Sequence, residues 1–278
     1  MIEPKTLQTE ADVAGHYDEL DAVYREIWGE HVHHGLWRSG RESVAEATNA
    51  LSDLVAKRLG AKAGDHLADI GCGYGATAGR FAERLGVNVT GFTLSEEQAR
   101  IARAWPGALT FHVRDWLANN MADASFDHAY AIESTEHMAD KTALFREAAR
   151  ALKPGGRFVV CAWLSEDSPS RWRVRHLLEP ICREGRLPGM GTRGEYEDWA
   201  AAAGLRTVGY EDLSREVRRT WSIVTRRVAG RVLTTARYRR LLLSPSTRNR
   251  QFALSLPRLI LAYRTGAMRY GVFTFEKR

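Results

Sequence analysis

Cysteine is scarce. Cys72, Cys161 and Cys182 stand far apart, and no CxxC-type pair exists. That spacing excludes a disulfide framework and gives a metal no ligand set, so reduced thiols and no metal are expected. No run approaches the roughly 18 uninterrupted apolar residues of a membrane-spanning helix, so no transmembrane segment is expected. The opening stretch, MIEPKTLQTEADVAGHYDEL, is acidic and lacks an apolar core. No secretory signal is therefore expected, and a cytoplasmic location is. There is no internal repeat and no low-complexity tract. Lysine is nearly missing, with 6 against 34 arginines.

What is present is an ordinary globular composition, 44% apolar and 27% charged, over 278 residues. Such a chain makes one large domain or a domain with an inserted cap. The net charge of +6 is unevenly placed. Residues 171–278 hold 22 Arg and one Lys against 9 acids, while residues 1–170 hold 17 basic and 25 acidic side chains. The plain reading of the basic half is a solvated arginine-rich helical face. The sharper one is a cap that meets an anionic substrate or a membrane surface. None of the sequence modules of nucleic-acid binders is present, so no nucleic-acid partner is expected.

Residues 43–59 read as an amphipathic helix. From His66 short apolar runs alternate with helices: HLADIGC, VNVTGFTL, LTFHVRD, FDHAYAIES and RFVVCAWL as strands, ATAGRFAERLG, SEEQARIARAW and KTALFREAARAL as helices. Ser95 and Gln98 have capping-box spacing. Strands alternating with helices indicate βαβ units, hence an α/β fold with a doubly wound, mostly parallel sheet. Residues 165–191, broken by Pro169, Pro180 and Pro188, read as an inserted lid. Helix and strand return at about 193–213, residues 214–265 read as helical with a break at 244–247, and RYGVFTFEK closes the chain as an alternating strand at the sheet edge. The expected divisions are a helical cover over 1–60, an α/β core over 61–164, cap and lid helices over 165–268, and a final edge strand over 269–278.

The most informative stretch is Asp69-Ile70-Gly71-Cys72-Gly73-Tyr74-Gly75, directly after a strand and before a helix. Small residues let such a turn bring backbone amides against a ligand at the positive end of a helix. A nicotinamide-dinucleotide site would show GxGxxG and an acid ending the second strand, and this chain has neither. With FTLSEEQ after the second strand, RDW after the third and LKPGGRF before the fifth, the chain resembles the class I S-adenosylmethionine (SAM) dependent methyltransferases. The resemblance implies a seven-stranded Rossmann-like sheet and SAM as cofactor. It implies that Gly71, Cys72 and Gly73 hold the methionyl part, with Asp69 orienting the turn and the amino group. The acid that the family usually carries after the second strand is replaced by Thr93. Thr93-Leu94-Ser95-Glu96-Glu97-Gln98 resembles the variant in cyclopropane-fatty-acid synthases and related small-molecule methyltransferases, which makes Gln98 the ribose ligand. Asp115 is placed for the adenine amino group and Trp116 beside the ring. The alternative for Asp115 is a strand-end cap.

The segment HYDELDAVYREIWGEHVHHGLW (16–37) is rich in aromatics and histidine. It reads as an amphipathic helix with Tyr24, Ile27 and Trp28 as core, but it also resembles the N-terminal cover of tocopherol methyltransferases and of bacterial sugar and alkaloid methyltransferases. AIESTEHM (131–138) is similar to a run in the same group. This resemblance places His34, Trp37 and Glu133 at the cofactor, and Tyr17, Tyr24, Trp28 and His137 at the acceptor; Trp172, an apolar position of the cap, is expected at the acceptor as well. Methyl transfer from a sulfonium needs a base only when the acceptor must lose a proton. His137, just beyond the fourth strand, is the expected base. Glu133 is its competitor, and Glu136 is expected to orient neighbours. The expected reaction moves a methyl group from SAM to a small amphipathic metabolite of terpenoid, prenylated-aromatic or alkaloid type, on carbon, nitrogen or oxygen, in natural-product biosynthesis. A prenyl diphosphate or lipid-like acceptor, or a non-catalytic SAM-binding module, is the alternative. Homo-oligomerisation is left open.

Overall fold

A computed structural model describes residues 1–6, 8–243 and 250–278; the side chains of residues 10, 11, 14, 16, 17, 20, 22, 241–243 and 250–254 lie outside that description. Seven strands form one sheet: β1 (His66–Ile70), β2 (Asn88–Thr93), β3 (Leu109–Val113), β4 (Phe126–Ile132), β5 (Leu152–Ser165), β6 (Leu205–Asp212) and β7 (Met268–Lys277). Their order is β3-β2-β1-β4-β5-β7-β6, with β1 to β5 parallel and β7 antiparallel to both neighbours. The chain winds outward in both directions from β1 and β4. The carboxyl ends of these two strands are thus the switch point at which open α/β sheets hold their ligands.

The helices are α1 (Glu10–Trp28), α2 (Val44–Leu59), α3 (Ala76–Leu85), α4 (Glu96–Ala102), α5 (Lys141–Ala151), α6 (Arg171–Arg173), α7 (Glu179–Glu184), α8 (Arg193–Ala202), α9 (Ser214–Val217), α10 (Arg219–Thr234), α11 (Ala236–Leu243) and α12 (Arg250–Thr265). A π-helical turn, Val174–Leu178, joins α6 to α7. Both faces of the sheet are covered. Leu67, Phe81, Val89, Tyr130 and Val159 pack on one side with α2, α3 and the cap helices. Ile70, Phe92, Phe145, Phe158 and Phe273 pack on the other. Among the described residues no helix is long and apolar enough to cross a membrane.

Three local expectations need correction. First, β7 is not the edge strand. Tyr270 and Val272 bury against one core and Phe273 and Phe275 against the other. A strand apolar on both faces belongs inside a sheet, and the edge falls to the more polar β6. Second, Ser95 caps α4 by accepting from the Gln98 amide, but the Gln98 side chain does not return the bond; it accepts from Thr93 instead. Third, the segment after β5 is not opened up by its prolines. Pro180 lies in a helical run continuous from Arg171 through the π turn to Glu184, where the Arg258 guanidinium donates to the His176 carbonyl, and Leu177, Leu178 and Ile181 are buried. The expected break at 244–247 lies outside the described residues.

The interior position of β7 has a measurable consequence. Phe273 is fully buried, stacked 5.3 Å from Tyr196 and 5.5 Å from Phe275. Phe273→Ala should cost about 3–5 kcal/mol in chemical denaturation. Val208→Ala, on the half-exposed edge of β6, should stay within about 0.5 kcal/mol. Similar losses at both positions would contradict this arrangement.

Candidate active site

The glycine turn leaves β1 under a tight steric constraint. Gly71 has φ 81°, and a Cβ there would meet the Ser134 Cβ at 2.2 Å. Its amide and that of Cys72 donate to the Phe92 carbonyl at 3.0 and 2.9 Å, which fixes the turn against β2. Gly73, at φ 51°, has no atom within 4 Å of its missing Cβ. The turn therefore faces open space immediately before α3.

That space is a cleft of about 140 Å³ over the ends of β1 to β4. Gly71, Gly73, Thr93, Leu94 and Gln98 form one side, and Asp115, Trp116, Glu133 and His137 the other. The structure thus brings most of the expected cofactor residues together. Thr93 Oγ donates to Gln98 Oε1 at 2.7 Å and fixes that amide with its nitrogen as a donor for a diol. Asp115 caps the short helix Trp116–Ala118 by accepting from the Leu117 amide at 3.0 Å, so one carboxylate oxygen does what a strand-end cap does while the residue still walls the cleft. Trp116 is mostly core, packed edge-on to Phe92 at 5.0 Å. Asp69 and Cys72 lie behind the turn, on a smaller cavity that shares Gly71 and Gly73. Asp69 is pushed up to about 7 by burial, against the bond it accepts from Tyr130 at 2.8 Å. A buried acid in that state favours a cationic neighbour. The glycine turn, the Thr93–Gln98 pair and Asp69 together fit a ligand with an ammonium group and a ribose, as SAM has.

Sequence reasoning missed Gln8, Val13 and Pro188, which close the cleft from the cover and the cap. They carry no local pattern; only the folding of distant segments brings them here.

His34 and Trp37 are not on this cleft. Trp37 donates to Thr220 of α10 at 2.9 Å and lies under Arg219, which seats the loop on the cap. His34 donates from its backbone and from Nδ1 to the two oxygens of Glu133, both at 2.8 Å. The same carboxylate accepts from Tyr270 at 2.7 Å and from the Trp163 indole at 3.0 Å. Burial alone would raise the Glu133 carboxyl, yet the His34 imidazole and amide, with His33 nearby, hold it at about 2. A base that weak, with both oxygens occupied, takes no proton near neutral pH. The expected catalytic role of Glu133 is therefore corrected: it is a clamp. Its residue stands at φ 55°, a strained position for a non-glycine that the surrounding bonds enforce. The other histidines of the run are seats as well. The Thr77 hydroxyl lies 3.3 Å from His31 Nδ1, and His33 is buried beside Ser52. Burial holds both below the usual histidine range, His31 at about 3.

A second cavity, smaller and more aromatic, adjoins the cleft and shares Val32, Glu133 and His137 with it. Tyr24, Trp28, Trp163 and Trp221 supply its rings, and Glu136 its second carboxyl. Glu136 accepts from the Trp163 amide and is raised by burial, while burial lowers its neighbour Lys141. It orients the loop, as expected. His137 borders both cavities and its Nδ1 donates to the Arg186 carbonyl at 3.2 Å. Tyr24 and Trp28 thus line this second cavity. Trp172 does not: it is 55% exposed against His176, because its helix turns Leu177, Leu178 and Ile181 inward instead. The side chain of Tyr17 lies outside the described residues. No cluster of three or more potential metal ligands exists among the described residues.

Comparison with known proteins places this geometry. The family model for mycolic acid cyclopropane synthetase matches residues 4–231. The chain is 35% identical over 236 residues to 27-O-demethylrifamycin SV methyltransferase of Amycolatopsis mediterranei, covering 81% of this chain and 85% of that one. It is 28% identical over 291 residues to the chloroplastic tocopherol O-methyltransferase of Arabidopsis thaliana, covering 95% and 81%. Among solved structures, a mycolic acid cyclopropane synthase complexed with SAH and CTAB superposes with TM-score 0.85 at 21% identity, covering 98% of this chain and all of that one.

The clamp makes a testable contribution to stability. The folded carboxyl titrates at about 2 and the free group at 4.5, so ionised Glu133 stabilises the fold above pH 4.5 and loses that effect as pH falls towards 2. Glu133→Gln should lower stability by about 1–3 kcal/mol at pH 7, and the gap to wild type should shrink below pH 4.5. A gap that stays constant from neutral to strongly acidic pH would contradict the assignment.

Proposed function

The chain belongs to the mycolic acid cyclopropane synthetase family and is a SAM-dependent methyltransferase; from that premise we propose that its acceptor is a neutral or cationic amphipathic metabolite of terpenoid, prenylated-aromatic or alkaloid type, methylated in natural-product biosynthesis. The observation that carries this reading is the chamber beside the cleft. Tyr24, Trp28, Trp163 and Trp221 give it apolar walls, ionised Glu133 borders it, and its lining has no arginine or lysine among the described residues. Aromatic faces and carboxylates favour an apolar body or a cation. A prenyl diphosphate, the second acceptor considered, would find no counter-charge there. Most arginines of the cap are exposed among the described residues, and none of them lines this chamber.

SAM, when bound, supplies an electrophilic methyl group on a sulfonium. The protein's own part is placement: Gly71, Gly73, Gln98 and Asp115 hold the donor side, and the aromatic chamber presents the acceptor at about 3–3.5 Å in a dry site. The Arg186 carbonyl, which can only accept, holds the His137 proton on Nδ1, and the residue borders both cavities. His137 takes a proton where the acceptor must lose one. The similarity to enzymes whose names specify O-methylation of a rifamycin and of tocopherol supports an amphipathic acceptor.

Two experiments test the reading. Methyl-labelled SAM incubated with isoprenoids, prenylated indoles, tocopherol-like phenols and amino sugars, followed by mass spectrometry, should label amphipathic compounds. Gly73→Arg, which fills the turn, should silence labelling. Labelling confined to hydrophilic sugars would overturn the acceptor class. With the labelled acceptor in hand, His137→Ala should lower kcat by roughly 10²-fold and flatten the acidic limb of the pH–rate profile. An unchanged profile would leave His137 a positioning role only.

A further inference from the structure

Helices α10 and α11 form a hairpin bent at Thr235, with eight arginines and no acidic residue between positions 218 and 240. All eight are exposed. Arg231 is paired with an acid, Glu26, at 2.9 Å. Arg226, Arg227 and Arg239 donate to carbonyls, of Ser222, Ile27, and Val232 and Leu233, which engages their N–H groups without offsetting their charge. At the bend stands Leu233, 80% exposed and the most exposed large apolar side chain among the described residues. A lone exposed leucine is ordinary. Set among eight exposed arginines, of which Arg231 is paired with Glu26, it makes the composition of an element that meets an interface between water and lipid.

The rest of the molecule gives this surface a direction. Residues 1–170 carry 25 acids against 17 basic groups, so an anionic surface repels that half and attracts the cap. The same hairpin also walls an open cavity of about 780 Å³ through Arg226, Gly230 and Thr234, opposite Ile27 and Trp28. Trp28 is shared with the aromatic chamber.

We propose that the α10–α11 hairpin is a docking surface for an anionic lipid bilayer, with Leu233 entering the headgroup region and Arg237 and Arg240 meeting lipid phosphates. The exposed leucine is what favours a bilayer over a nucleic acid, whose phosphates would use the arginines alone. The surface acts independently of the acceptor's identity, since binding is read without methyl transfer.

The test is co-sedimentation of the full chain with vesicles of phosphatidylcholine alone and of phosphatidylcholine mixed with phosphatidylglycerol, at several salt concentrations. Binding should require phosphatidylglycerol and weaken as salt rises. Leu233→Asp, which keeps every arginine, and the pair Arg237→Glu with Arg240→Glu should each weaken it roughly tenfold or more. All three positions are exposed, so their melting curves should match wild type. Absence of sedimentation with the anionic vesicles would overturn the proposal. So would Leu233→Asp binding like wild type, or a DNA duplex displacing the protein from vesicles with no dependence on Leu233.

Discussion

One carboxylate holds the functional end of this fold together. Glu133 stands just past β4, in a backbone conformation that a glutamate adopts only under constraint, and accepts bonds from the cover loop, from β5 and from β7. The cost of burying its charge is met by four donors, one of them the facing imidazole. His34 and Tyr270 are buried and Trp163 is half-buried, so the clamp is mutual: without Glu133 all three would lose a partner. Cover, sheet and chamber wall therefore share one anchor.

This arrangement separates chemistry from charge. The chamber beside the cleft is lined by rings and two carboxyl groups, while most of the described arginines in the second half of the chain are exposed. Methyl transfer asks little of side-chain chemistry and much of placement and dryness. A chamber of rings next to a glycine turn suits that demand.

Much of the sheet was legible because its signals are local. Apolar runs of β1 to β5 alternate with amphipathic helices, and DIGCGYG has to sit on a strand end because only glycine fits beside Ser134. Other features were hidden because tertiary partners decide them. RYGVFTFEK alternates like an edge strand, but its tyrosine and phenylalanines are covered on both faces by helices far away in sequence. Gln98 has the spacing of a capping partner, yet Thr93, five residues earlier, competes for it and wins. The histidine-rich run looked chemical. It is mainly mechanical, each ring seated on a different element, and only the fold could show that His34 and Glu133, ninety-nine positions apart, meet. Trp172 failed for the opposite reason: an exposed tryptophan and a chamber tryptophan look alike in sequence.

The account rests on Glu133 as the clamp that closes the cover over the cleft, and amide hydrogen exchange measures this most directly. In wild type, residues 31–37 should exchange slowly. In Glu133→Gln they should exchange much faster while β1 and α3 keep their protection, and added SAM should recover only part of the difference. Unchanged protection of residues 31–37 in the variant would contradict the account.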